Sequence, residues 1–354
     1  NSSMSSPLPV HLITGLLGSG KTTCLKHLIQ QKPPTENWVI LINEFGEVDI
    51  DAAQLLAITP KDNTVEIHEV SGGCICCTAQ LGLVTTLNQV FSRTGTKIDR
   101  IWIEPTGLGH PAQIIDSLHK TPFSRPLSLQ KVVCVITPQQ LTPERWKKSA
   151  VMRDLVTLAD TIILNKTDLS DLSSQQQARQ LLKNCFPPKN EIVATQYADV
   201  KLPTLLQEKQ SQPFTILASK TSHLAAANHH QQTYSSDIEQ AQHCFISVDN
   251  SNANLLSMGW IWSSKVQFNR IKLKSFFEQI APNLIRAKGI VKTGKEWQLI
   301  NWSEGKIQFE DIAWRQDSRL ECLFGNSNEN QSTITPLDLE KILQNTIHSY
   351  NSQT

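Results

Sequence analysis

Gly15-Leu16-Leu17-Gly18-Ser19-Gly20-Lys21-Thr22 stands directly after the apolar run 10–13 and directly before an amphipathic stretch in which Leu25, Leu28 and Ile29 share one helical face. The stretch fits G-x-x-x-x-G-K-[ST] between a strand and a helix, and that context gives the match its meaning. Glycines at Gly15, Gly18 and Gly20 let the backbone turn its N–H groups inward at phosphate oxygens, and the positive end of the helix adds to the field. Lys21 is expected to reach the β- and γ-phosphates, Thr22 to ligate Mg²⁺ through its hydroxyl, and Ser19 and Thr23 to complete the phosphate cradle.

Outward from this loop, short β-branched runs at 10–13, 38–42, 98–104, 132–136, 161–164 and 191–195 alternate with helix-like segments at 25–30, 81–91, 111–118, 143–158 and 175–185. The runs are apolar almost throughout, as strands covered on both faces are. Alternation of this kind predicts an α/β domain with a mostly parallel sheet over residues 8–206. From 207 to 242 the pattern dissolves into Gln, Ser, Asn and His, which reads as a linker. Strand-like runs with a few helices then follow over 243–350, predicting a smaller α+β domain.

Two further segments fall at carboxyl ends of predicted strands, where open α/β sheets bind ligands. Asn165-Lys166-Thr167-Asp168 follows the run 161–164. A carboxylate at Asp168 can accept hydrogen bonds from the N1–H and 2-amino group of guanine, which adenine cannot supply, so guanine is the expected base. Glu104-Pro105-Thr106-Gly107 follows the third run. Glu104 stands where an acidic residue supports Mg²⁺ through water, and Gly107 can offer its N–H to the γ-phosphate. Asn43-Glu44-Phe45-Gly46-Glu47 follows the second run and reads as a switch loop.

Between these switch segments lies Gly73-Cys74-Ile75-Cys76-Cys77. Three thiolates fill three corners of a tetrahedral site for a soft ion such as Zn²⁺ or Cu⁺. Candidates for the fourth corner are Glu44, Glu47, His68, His110, a client side chain or water. Cys24, Cys134, Cys185, Cys244 and Cys322 stand alone in apolar segments and read as packing. His223, His229, His230 and His243 form a loose group in or beside the linker, read as a solvated tether rather than a ligand set. Trp260, Trp262, Trp297, Trp302 and Trp314 read as core of the second domain.

Of the 354 residues, 33 are Lys or Arg and 32 are Asp or Glu, so no overall field favours a polyanion or an anionic membrane. No apolar run is long enough to span a bilayer, and the N-terminal residues lack the features of a signal peptide. Neither nucleic acid nor membrane is an expected partner, and a cytoplasmic location is expected.

The motifs together resemble the CobW family of GTPases, kin of the nickel-insertion GTPases of hydrogenase and urease maturation. The phosphate loop, the stretch at 43–47, the cysteine triad and Asn165 to Asp168 carry the resemblance, and Glu104 to Pro111 with Gly259-Trp260-Ile261 are similar to its YeiR-type zinc-binding branch. The resemblance implies a GTP-dependent metallochaperone with zinc on Cys74, Cys76 and Cys77, cobalt being the alternative ion. Two departures stand out: Ile42 occupies a position where some relatives carry another glutamate ligand, and the linker is poorer in histidine. The expected cycle is that GTP and Mg²⁺ order 44–51 and 104–110, and that hydrolysis relaxes them and releases the metal to a metalloprotein client. Glu47 is the preferred fourth metal ligand, and Asp51 or Glu47 the expected orienter of the attacking water. No arginine finger is evident, so a client, a metal or a second subunit is expected to stimulate turnover, with homo-oligomer formation dependent on GTP or metal. The rival outside this class is a zinc sensor that reads out GTP without transferring metal.

Overall fold

The computed structural model of the chain describes residues 6–43, 55, 57, 64–70, 78–93, 95, 97–105, 111–209, 230–234, 241–249, 255–325 and 336–347. Its contacts divide into two compact units, Asn1–Ser211 and Gln212–Thr354.

The first unit is built on seven parallel strands: β1 (Leu8–Gly15), β2 (Trp38–Asn43), β3 (Val65–Val70), β4 (Arg100–Ile103), β5 (Leu127–Ile136), β6 (Thr161–Leu164) and β7 (Ile192–Ala194). Their order across the sheet is β3-β2-β4-β1-β5-β6-β7. β1 lies between β4 and β5, with Val10 opposite Ile101 and Ile13 opposite Val133. A strand in that position is covered on both faces, and every residue of β1 except Pro9 is buried. Because all strands run the same way, the segments leaving β1, β2, β4 and β6 emerge at one edge of the sheet.

Two local expectations change. The run 143–158 forms two helices, Pro143–Lys148 and Ala150–Leu158, meeting at Ser149. Ser149 is extended and its hydroxyl accepts from the Met152 N–H at 3.1 Å, so a side-chain cap interrupts an otherwise continuous apolar period. Strand β3 was not among the predicted runs. Its sequence, Val65-Glu66-Ile67-His68-Glu69-Val70, alternates charge with apolar residues because it is an edge strand paired with β2 alone.

The second unit is a seven-stranded antiparallel sheet, β8 (His230–Tyr234), β9 (Ala241–Asp249), β10 (Leu255–Ser263), β11 (Leu284–Thr293), β12 (Glu296–Ser303), β13 (Lys306–Asp311) and β14 (Asp317–Phe324), in the order β13-β12-β11-β14-β10-β9-β8. β8 lies inside the stretch read as linker and pairs with β9, Gln232 opposite Ile246. Helix Arg270–Ile280 starts at Asn269, whose side chain accepts from the Lys272 N–H at 3.0 Å. It contributes Leu273, Phe276, Phe277 and Ile280, and helix Pro336–Gln344 contributes Leu339 and Leu343, to a core shared with Trp260, Trp262, Trp302, Leu320 and Phe324. The five tryptophans read as core are all buried. Arg319, fully buried, is held by Asp317 through paired hydrogen bonds of 2.9 and 3.0 Å. The fold is thus a parallel α/β domain followed by a smaller α+β domain.

Candidate functional site

The loop after β1 folds over the end of the sheet. Gly15 has φ +150°, and a Cβ there would collide with the Val135 carbonyl of β5. Gly20, at φ +105°, is the N-cap of helix Lys21–Gln30 and makes no side-chain cap; a Cβ at this position would collide with the Asn165 amide nitrogen. Both positions favour glycine because each has positive φ and a neighbouring group, the Val135 carbonyl or the Asn165 amide, fills the space a side chain would take.

Lys21 and Glu104 are both buried, at 2 % and 3 % exposure, with Nζ 3.6 Å from Oε1. The ammonium also donates to the Gly15 carbonyl at 2.9 Å. A cation so placed is neutralised from within the protein and held beside the loop that encloses it. Ser19 and Thr22 are also buried, and their hydroxyl oxygens have no hydrogen-bond partner among the described residues. Buried polar atoms are normally satisfied, so orphaned hydroxyls beside a buried ammonium and carboxylate point to a polar ligand. A threonine hydroxyl and a carboxylate are the hard oxygen donors that Mg²⁺ takes, so the residues present fit that ion.

The segment after β6 closes on this loop. Asn165 donates from Nδ2 to the Ser19 carbonyl at 2.9 Å and accepts at Oδ1 from the Ala198 N–H at 2.7 Å. Lys166, in the left-handed region at φ 58°, donates from Nζ to the Gly18 carbonyl at 2.8 Å. Asp168 sits in the 3₁₀ turn Thr167–Leu169 with its side chain exposed. Gly18, Gly20, Lys21, Thr22, Thr23, Lys26, Asn165, Lys166 and Asp168 line one cleft of about 340 Å³, with Leu169 and Tyr197 at its edge.

The remaining sequence candidates are distributed as follows. Glu44, Glu47, Asp51, Cys74, Cys76, Cys77, Gly107 and His110 lie outside the described residues, as do the side chains of the four linker histidines. His68 is on β3 with Nε2 3.1 Å from Glu66 Oε2, and Arg93 reaches the same carboxylate at 2.9 Å. Cys24, Cys134 and Cys322 are buried and Cys185 is half-buried. Burial pushes the Cys24 thiol up to about 12 and the Cys134 thiol to about 11, which keeps both as inert thiols. Among the described residues no three His, Cys, Asp or Glu side chains converge on a metal-sized site. Sequence reading overlooked Lys26, Leu169, Tyr197 and Ala198. Lys26 was findable, since it lies one turn beyond Thr22 and Thr23. The 195–199 turn, 30 residues from Asn165, carries no motif of its own.

A parallel sheet with such a loop, and with an Asn-Lys-x-Asp turn bonded to it, defines a P-loop nucleotide-binding domain. The chain belongs to the CobW/HypB/UreG family: that family's nucleotide-binding domain matches residues 9–193, and the cobalamin synthesis protein CobW C-terminal domain matches residues 257–334. It is 32% identical over 339 residues to the zinc chaperone YeiR of Escherichia coli strain K12, covering 93% of this chain and 98% of that protein. It is 31% identical over 188 residues to the zinc chaperone YjiA of the same strain, 52% of this chain and 57% of that protein. The crystal structure of Zn(II)-bound YjiA GTPase from E. coli aligns over 97% of this chain and 99% of that chain, at 17% identity and a TM-score of 0.44. Among the described residues no helix is long and apolar enough to cross a membrane.

Proposed function

We propose that the chain hydrolyses GTP and uses the nucleotide state to hold and hand over zinc, carried as cargo on Cys74, Cys76 and Cys77 with Glu47 as fourth ligand. One observation carries the nucleotide half: Asn165 joins the buried Lys21 and Thr22 cradle to the turn bearing Asp168, so a ligand in this cleft meets cationic, hydroxyl and carboxylate groups at fixed spacing. Triphosphate at one end and guanine at the other match that sequence of groups. The family membership and the zinc-chaperone relative support the metal half.

In this reading Lys21 exchanges the Gly15 carbonyl for phosphate oxygens, its charge already held in place by Glu104. Thr22 and Glu104 would hold Mg²⁺, which when bound offsets the negative charge of the β- and γ-phosphates. Gly15, Gly18, Ser19, Gly20 and Thr23 orient the phosphate chain, and Asn165, Lys166 and Asp168 the guanosine. Gly107 contacts the γ-phosphate, and Glu47 or Asp51 orients the water. The client is a metalloprotein, and a domain over 243–350, extended on its N-terminal side by β8 and the start of β9, follows the nucleotide-binding domain of 8–206.

The test loads the full chain with zinc and follows its capture by a chromophoric chelator under GTP, GDP and a non-hydrolysable analogue, alongside phosphate release. Capture rates that depend on nucleotide state support a carrier. Identical rates in all three refute it.

A further inference from the structure

The edge of the cleft carries an aromatic side chain that the Asn-Lys-x-Asp turn does not account for. Tyr197 is 70% exposed, yet it lines the cleft together with Lys166, Asp168 and Leu169. Its backbone is left-handed at φ 54°, and Ala198 follows at φ 50°. Two consecutive non-glycine residues in that region persist only where their surroundings impose it, and such positions gather at ligand sites.

The surroundings are visible here. Ala198 is fully buried and its N–H donates to Asn165 Oδ1. Thr195 closes the turn from the other side, its hydroxyl donating to the Asp199 carbonyl at 2.9 Å, while the Asp199 N–H donates to the Gln196 carbonyl at 3.1 Å. The turn is therefore fastened to the same asparagine that fastens the phosphate loop. What it displays is a large flat ring left in solvent at the mouth of a cleft. An exposed ring contributes little to the fold, so the strain of holding it there is repaid by something that lies against it.

The geometry points to Tyr197 as a second base-binding residue, its ring stacking on the face of the purine whose edge Asp168 reads. This rests on the guanine-nucleotide reading of the cleft. Any purine offers a π face, so the ring supplies affinity without choosing among bases, and the choice stays with Asp168. Lys166 lines the same cleft, its stem running from the turn to the Gly18 carbonyl, and adds apolar surface.

Calorimetric titration of the full chain with GTP, ATP, ITP, XTP and ribose 5-triphosphate, all with Mg²⁺, tests the assignment. Tyr197→Gly removes the ring at a φ that glycine accepts freely, so the turn survives. It should weaken GTP and ITP alike by roughly 5- to 150-fold, the span of one base–aromatic stack. It should leave ribose 5-triphosphate binding and the GTP-to-XTP ratio unchanged, and Tyr197→Phe should keep parental affinity. Retained GTP affinity in Tyr197→Gly overturns the inference, as does parallel weakening of the baseless ligand, which would mark the turn as a mere support for Asn165. A parent chain that binds ATP as tightly as GTP removes the guanine reading instead, and the glycine variant then still reports stacking through its loss of both.

Discussion

Asp168 is one exposed carboxylate on a three-residue turn, and its position rather than its environment gives it meaning. Asp168→Asn is expected to cost at least about tenfold in GTP affinity and to move preference towards xanthine nucleotides, because an amide offers the donor that the xanthine edge requires. Competition titration with GTP and XTP reads this directly, and unchanged preference rules out base recognition by this residue. Lys21 is the opposite case, a buried cation whose role is fixed by what surrounds it. Lys21→Ala should lower phosphate release by roughly a hundredfold or more while leaving the far-ultraviolet circular dichroism unchanged. These residues were legible in the sequence because each lies within a few positions of the others in its own motif. Tyr197 and Ala198 were not, since their place in the site depends on a contact to Asn165 across more than thirty residues of chain.

At the scale of elements, β1 and β4 carry a polar contact inside the sheet. His11 is 1% exposed, stacks on Trp102 at 4.1 Å and lies with Nε2 3.2 Å from an Arg100 nitrogen. The guanidinium can only donate, so Nε2 is the unprotonated nitrogen of a neutral ring. Burial first and then Arg100 lower its pKa from 6.5 to about 3. Between those values the unfolded chain binds a proton that the native chain refuses, so stability falls as pH drops through this window, by up to about 1.4 kcal/mol per pH unit. His11→Gln removes the titration. Chemical denaturation from pH 7 to pH 4 should therefore show the variant gaining on the parent towards acid, and parallel curves would mean that the ring is protonated in the fold. Element type was legible wherever an apolar run was covered on both faces. It was missed at β3, where an edge strand carries Glu66, His68 and Glu69, and it was over-extended at Ser149, where a single hydroxyl cap outweighs a continuous helical period.

For the whole molecule, alternating runs followed by clustered strands revealed the order of the two folds, because each class has its own hydrophobic period. Strand β8, set in a polar stretch, escaped this reading. In sequence the cysteine triad lies between the two segments read as switch loops, 44–51 and 104–110, and through those segments zinc and GTP are expected to influence one another. Linkage is reciprocal: whatever factor GTP applies to zinc affinity, zinc applies to GTP affinity, with roughly 5- to 150-fold as the usual range. Replacing Cys74, Cys76 and Cys77 together by Ser should leave GTP binding intact and abolish its response to buffered zinc. A parent without zinc response has two independent sites. A variant that keeps the response places the metal elsewhere.

Asn165 has a consequence of another kind. With one hydrogen bond to Ser19 and one from Ala198, and with its amide occupying the space that a Gly20 side chain would need, it ties the two ends of the cleft to one side chain. Under the proposed function the cleft acts as a bivalent receptor with a short spacer, and the two halves of a nucleotide as a tethered pair. Once the phosphates dock, the guanosine finds itself at a high effective concentration over its own half-site. Guanosine and tripolyphosphate supplied as separate molecules forgo that advantage. Together they should occupy the site far more weakly, and leave it far sooner, than the one molecule that joins them.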